Sequence, residues 1–325
     1  MRVHVEWLTS KMPHMRLDRA VWEQAAARHA DAAAGLEMSF GQDLKDMAPY
    51  ADADVVIGQV FAKDRLASLA PKVKWLYATS AGIEDLLPLD WLPPGAVLTN
   101  NSGTHYPKAR AFAGMLLQML QVRMPTLMSN QRRHHWERLF ATIPTGKTVA
   151  ILGFGALGTA TAEAARDLGL RVRVIRRNPA PDPRADAMFG PDRLADALDG
   201  ADFLVIAAPL TPETRGLIDA AALDRLADGA GVVNIGRGLV LDTAALCQRL
   251  DSGRLSGAIL DVFDQEPLPA GSPLWDQTNL ILTPHVLLDD PDTYIQRALD
   301  IFFAELARYH AGAPFANRID PDAGY

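Results

Sequence analysis

The sequence predicts an α/β protein with two doubly wound parallel-sheet domains and a cleft between them. Three observations lead there. Short apolar runs alternate with helical stretches along the chain, the pattern of parallel strands covered by helices on both faces. One such run, Lys147-Thr148-Val149-Ala150-Ile151-Leu152, leads directly into Gly153-Phe154-Gly155-Ala156-Leu157-Gly158 and then into an alanine-rich stretch, Thr159 to Leu168. A length of 325 residues is enough for two separate cores.

The elements follow in order. Strands are predicted at Arg2 to Glu6, Asp54 to Gly58, Val73 to Ala78 and Ala96 to Thr99, with an alanine-rich helix from about Asp18 to Ala34 after the first. An apolar helix runs from Tyr106 to Met124, and Gln131-Arg132-Arg133-His134-His135-Trp136 reads as its polar and aromatic continuation. His134 and His135 would point about 100° apart on that helix, with no Cys or acidic residue at ligand spacing, which argues against a metal site. Further strands are predicted at 147–152, Arg171 to Ile175, Ala201 to Ala208, Val232 to Ile235, Ala258 to Val262 and Leu280 to Leu282. The last three in particular read as strands buried on both faces. The tail from Asn317 to Tyr325 is expected to be mobile.

Composition narrows the partners. Hydrophobic residues at 49% and charged residues at 22% describe an ordinary globular chain. A net charge of −7 disfavours nucleic acid and membrane surfaces. Cys247, the lone cysteine, sits among apolar helical neighbours and reads as a small buried hydrophobe. The amino terminus alternates like a strand, without the apolar core of a signal peptide, and no apolar run is long enough to span a bilayer, so the cytoplasm is the expected location.

The chemistry lies at the strand ends, where ligands collect in an open parallel sheet. The three glycines permit a tight turn, close approach of a pyrophosphate and close packing of helix on strand, and the helix that follows offers unpaired amides to phosphates. Residues 153–158 are therefore expected to bind a dinucleotide in a Rossmann-like domain. An NAD-binding chain normally carries an acid after the second strand, where this one has Arg176-Arg177-Asn178. Guanidinium groups pair with a 2′-phosphate, so NADP(H) is the preferred cofactor and NAD(H) the secondary one, with Arg177 favoured over Arg176.

Three further runs complete the set: Asn234-Ile235-Gly236-Arg237-Gly238, Asp261-Val262-Phe263-Asp264-Gln265-Glu266-Pro267 and Thr283-Pro284-His285. Reducing a 2-keto acid requires a cation for its carboxylate, an acid for its carbonyl oxygen and a group that keeps that acid charged. Arg237 suits the first role, since its planar fork pairs two oxygens and keeps its charge. His285 suits the second, because imidazole exchanges protons near neutrality. Glu266 suits the third, because a neighbouring carboxylate favours the imidazolium.

Together with Pro209-Leu210-Thr211-Pro212-Glu213-Thr214 and Pro273-Leu274-Trp275, these motifs resemble the D-2-hydroxyacid dehydrogenase family, over most of the chain and most densely from Gly146 to His285. The resemblance implies a substrate domain made of residues 1–100 and 288–325 around an inserted dinucleotide-binding domain, 101–287. It implies that the backbone amides of Ala81 and Gly82 hold the substrate carboxylate, that Asp261 accepts a hydrogen bond from the nicotinamide carboxamide, and that Pro209 and Ile235 line the nicotinamide, with Thr214 and Gly236 beside them. It also implies a homodimer through the dinucleotide-binding domain, for which the helix from Tyr106 is suited. The arginines after the second strand place the chain nearest the glyoxylate and hydroxypyruvate reductase branch, although Val286-Leu287-Leu288-Asp289-Asp290 departs from the small residues that follow the histidine in many relatives. Formate dehydrogenases of this build carry Gln beside the histidine, so Glu266 weighs against that activity. The same motifs are also compatible with phosphite oxidation and with a corepressor-like scaffold that senses dinucleotides.

Overall fold

In the computed structural model, residues 1–9 and 15–321 are described. The chain divides into two compact units, Met1–His105 with Asp290–Tyr325, and Tyr106–Asp289.

The first unit holds a five-stranded sheet of β1 (Arg2–Trp7), β2 (Glu37–Gln42), β3 (Val55–Gly58), β4 (Trp75–Ala78) and β5 (Val97–Thr99), in the order β2-β1-β3-β4-β5. Every pairing is parallel. Alternation sorts the side chains onto two faces. Val3, Val5, Val55, Ile57, Trp75 and Tyr77 meet the helix Tyr294–His310 through Phe302, Phe303 and Leu306. Val56, Leu76 and Ala78 face the opposite layer around Tyr50 and Leu66. The helix predicted from Asp18 breaks at His29 into Arg19–Arg28 and Ala30–Ala33, the first capped by the Asp18 carboxylate on the Val21 amide.

The second unit holds a seven-stranded sheet of β6 (Thr148–Leu152), β7 (Arg171–Ile175), β8 (Ala187–Phe189), β9 (Phe203–Ile206), β10 (Ala230–Asn234), β11 (Leu255–Leu260) and β12 (Leu280–Leu282). The order is β12-β11-β10-β9-β6-β7-β8, and all pairings are parallel. One face buries Ala150, Leu204, Ile206, Val232 and Leu260, the other Val149, Ile151, Val205, Val233 and Ile259.

The helix Tyr106–Gln121 stops three residues short of its predicted end. Pro125 lies in the first turn of the next helix, and continuing the first helix through it would drive the proline ring into the Gln121 carbonyl. Arg123 takes a left-handed backbone (φ +56°) and a second helix, Met124–Arg132, starts there. The expected helical continuation through Trp136 is also corrected. His134 adopts φ +55°, its amide bonds the Gln131 carbonyl and the His135 amide bonds the Asn130 carbonyl, which closes the helix in a Schellman cap. The chain then runs to Thr145 without helix or strand.

Of the tail expected to be mobile, 322–325 lie outside the described residues, and its first part is held. Glu305, 2% exposed, accepts the amides of Ala316 and Asn317 at 3.0 and 2.7 Å, and the Ile319 amide bonds Leu98. Glu305→Ala removes a buried charged acceptor from two amides, so a loss of about 2 kcal/mol is expected in denaturant unfolding, with faster hydrogen exchange at Ala316 and Asn317. Unchanged exchange at those amides would show that the tail is held by other contacts.

Candidate active site

The strand order of the second sheet reverses beside β6, with β7 and β8 on one side and β9 to β12 on the other. Such a switch point opens a crevice at the carboxyl ends of the strands. The turn that leaves β6 is tight. A Cβ on Gly158 would lie 2.0 Å from the Gly153 carbonyl oxygen, so only glycine lets the helix Ala156–Asp167 start against the strand end. No side chain caps that helix, and a Cβ added at its N-cap, Gly155, would meet nothing within 4 Å. Uncapped first-turn amides beside open space fit a pyrophosphate. Ala156 and Leu157 belong to that first turn, and Phe154 precedes it.

Two guanidinium groups approach the Phe154 ring, Arg176 at 5.9 Å and Arg184 at 5.5 Å from its centre. Arg184 is anchored by a two-pronged pair with Asp182, at 2.8 and 2.7 Å, which holds the Asp182 carboxyl down to about 2. Arg177 and Asn178 are exposed. The Thr211 hydroxyl, and more weakly the charge of Arg177, hold the Glu213 carboxyl below its ordinary value. The loop carrying Glu213 is closed by Thr214, whose hydroxyl donates to the Pro209 carbonyl at 2.7 Å.

At the end of β10, Asn234 shapes the arginine loop. Its Nδ2 donates to the Arg237 carbonyl at 3.0 Å and its Oδ1 accepts the Gly236 amide at 3.1 Å. Ile235 is buried and its amide continues the ladder to Ile206. A Cβ on Gly238 would lie 2.0 Å from the Phe263 carbonyl carbon, so the arginine loop lies flat against the chain that leads to Glu266. Arg237 itself donates to the Gly236 carbonyl at 2.8 Å.

Glu266 and His285 meet directly. His285 Nδ1 lies 2.7 Å from Glu266 Oε2, while Glu266 Oε1 accepts the Phe263 amide at 2.9 Å. The His285 backbone is left-handed, φ +53°, a conformation uncommon for any residue but glycine. Beneath it, Asp261 is 1% exposed and accepts the Thr283 hydroxyl and the amides of Val286 and Leu287. Burial pushes its carboxyl above the usual range, against the pull of those donors.

Ala81 and Gly82 belong to the first unit, on the loop after β4. Its carbonyls are held from one side: Thr79 by Asn101 and Tyr294, Ser80 by the Asn101 amide, and Ala81 by Asn100 Nδ2 at 2.7 Å.

Among the expected catalytic residues, Glu266 and His285 are in contact and Arg237 lies on the adjoining loop. Sequence reasoning missed what Asn234, Thr283 and Arg184 do. The first two stand inside motifs already singled out, but Asn234 acts by curling its own loop back on itself and Thr283 reaches Asp261 at another strand end, while Arg184 had no motif to mark it.

Comparison with known proteins agrees with this geometry. The sequence profile described as D-isomer specific 2-hydroxyacid dehydrogenase, NAD binding domain, matches residues 113–286, more than half of the chain. The chain is 36% identical to a glyoxylate/hydroxypyruvate reductase A of Salmonella heidelberg over 178 residues, 55% of this chain and 56% of the relative, so the match spans about half the length of that protein. A D-isomer specific 2-hydroxyacid dehydrogenase from Xanthobacter autotrophicus Py2, solved with NADPH and MES, superposes with a TM-score of 0.83 at 28% identity, covering 99% of both chains. An NADPH-dependent glyoxylate/hydroxypyruvate reductase from Sinorhizobium meliloti, solved with NADP and sulfate, gives 0.78 at 28% identity, covering 100% of this chain and 99% of that one. Motifs, sheet order and profile agree: the chain belongs to the D-isomer specific 2-hydroxyacid dehydrogenases, a family of NAD(P)-dependent oxidoreductases.

Proposed function

We propose that this protein is an NADPH-preferring reductase that converts a small 2-keto acid, of the glyoxylate or hydroxypyruvate kind, into its D-2-hydroxy acid. The observation that carries the reading is the 2.7 Å contact between His285 and Glu266 at the carboxyl edge of the sheet, with the arginine loop packed alongside. Similarity to glyoxylate/hydroxypyruvate reductases, and the arginines after β7, support the choice of substrate and cofactor.

When bound, NADPH supplies the hydride. The chain's part is to bind, orient and protonate. Glu266 holds Nδ1, which leaves Nε2 of the imidazolium to give its proton to the carbonyl oxygen as that oxygen gains charge. Arg237 pairs with the substrate carboxylate, and the amides of Ala81 and Gly82 are proposed as its further donors. Asn234 keeps Arg237 in place by closing the loop around it. In the reverse direction the neutral imidazole takes the proton back. Residues 153–158 would cradle the pyrophosphate, Arg177 would pair with the 2′-phosphate with Arg176 and Asn178 beside it, and Pro209, Thr214, Ile235 and Gly236 would border the nicotinamide, with Asp261 as an acceptor for its carboxamide.

The protein is also proposed to work as a homodimer through the second unit. Ala111, Gly114, Met115, Gln118, Met119 and Val122 line an open groove of about 420 Å³, and Trp136, Phe140 and Ile143 are 75–88% exposed on the irregular segment that follows the Schellman cap. Large exposed apolar groups concentrated in one region mark an association surface.

His285→Ala is expected to lower kcat on the order of 10²- to 10⁴-fold in a stopped-flow NADPH assay. A loss below threefold, with chemistry shown to limit the rate, would remove His285 from proton transfer. Arg177→Asp is expected to shift the ratio of kcat/KM for NADPH over NADH by at least roughly tenfold, or about 1.4 kcal/mol. An unchanged ratio would place recognition of the 2′-phosphate elsewhere. Sedimentation equilibrium is expected to give twice the 35.3 kDa of one chain, and Trp136→Glu with Phe140→Glu to give the single mass. A monomeric native protein would refute the dimer.

A further inference from the structure

We propose that Asp261 is the positioning residue of His285, its carboxylate gathering the chain on both sides of the histidine and so fixing the direction of the imidazole. This rests on the reading of His285 as the proton donor. A residue in the left-handed region persists only where its surroundings determine it. Here those surroundings converge on one group. Before the histidine, the Thr283 hydroxyl donates to Asp261 Oδ1 at 2.7 Å. After it, the Val286 amide donates to Oδ1 at 3.0 Å, and the Leu287 amide reaches Oδ1 at 3.3 and Oδ2 at 3.2 Å. His285 is thus bracketed at positions 283, 286 and 287 by a single carboxylate.

That carboxylate is itself fixed. Asp261 leaves the end of β11 with its amide bonded to the Asn234 carbonyl, and the Thr283 amide bonds Leu260 beside it. Glu266 does a different job. It touches the ring, from a loop where its side chain is 36% exposed, and one bond at Nδ1 leaves the ring free to swing about that contact. Asp261 acts on the backbone from a buried position. An ionised carboxylate accepts at both oxygens, which suits three donors arriving together. An amide of the same shape would have to turn its NH₂ toward one of them, and the bonds that remained would lose the strength that charge lends.

The test is Asp261→Asn in the full chain. The expected result is a fall in kcat of roughly 10²-fold, the scale of a misplaced catalytic group. KM for glyoxylate should change less than about threefold, about 0.7 kcal/mol on the tenfold-per-1.4 scale. Thr283→Val should move kcat in the same direction and Thr283→Ser should restore it, which keeps the proposal open to refutation if Asp261→Asn does not fold. Independently of turnover, ¹⁵N-histidine spectra should show the His285 ring signals altered in Asp261→Asn, with His285→Gln supplying the assignment. Unchanged kcat and ring signals would overturn the proposal, as would a Thr283→Ser protein no more active than Thr283→Val. Altered ring signals in a protein that reduces no keto acid would leave the positioning role standing and remove the proposed function.

Discussion

Neighbouring strands of a sheet lie about 4.8 Å apart, so the turns that leave the adjacent strands β10 and β11 meet backbone to backbone, while the turn that leaves β6 closes on itself. A Cβ at Gly158 would come within 2.0 Å of the Gly153 carbonyl of its own turn, and one at Gly238 within 2.0 Å of the Phe263 main chain. No rotamer change relieves a contact of that kind, because the obstructing atom is backbone. The first close approach sets where the helix Ala156–Asp167 begins, and with it where that helix presents its uncapped amides. The second lays the arginine loop against the chain that carries Glu266. Both depend on a side chain being absent.

Above that crowded edge the polar groups fall into two layers. The lower one is buried and acts on backbone: Asn234 on Gly236 and Arg237, Asp261 on Val286 and Leu287. Buried polar groups carry a desolvation penalty unless their bonds are complete, and the raised Asp261 carboxyl records a burial penalty that its three donors offset only in part. The upper layer, His285 and Glu266, stands at the surface of the unit with its side chains 51% and 36% exposed. Shape is set below, and proton chemistry is available above.

Six of the seven strands of the second sheet were legible because parallel strands buried on both faces are written as apolar runs, as at Val232-Val233 and Ala258-Ile259-Leu260; the short edge strand β8, only partly buried, was not. The edge strand β2 was not, since Met38 and Phe40 are only partly buried and Gly41 interrupts the run. A Cβ at Gly41 would lie 2.3 Å from the Glu6 carboxylate, a tertiary reason that no local pattern displays. The break at Arg123 could have been read from Pro125. The Schellman cap could not, because it places a histidine where glycine is the usual signal. Likewise the Arg, Glu and His runs announce themselves by residue type, while the task of Thr283 becomes visible only when neighbouring strand ends come together, and that of Asn234 only when its own loop turns back on its side chain.

This layering explains why the exposed pair need not stabilise the fold. An ion pair between exposed side chains is worth about 0–1 kcal/mol, so little is lost when the imidazole changes charge. Had His285 been aimed only by its bond to Glu266, each proton transfer would weaken the contact that directs the ring. Contacts to the backbone on either side of it do not depend on the ring's charge. A group that must gain and lose a proton in every cycle is best aimed through atoms that do neither, and the donors gathered around Asp261, one hydroxyl and two amides, are of that kind.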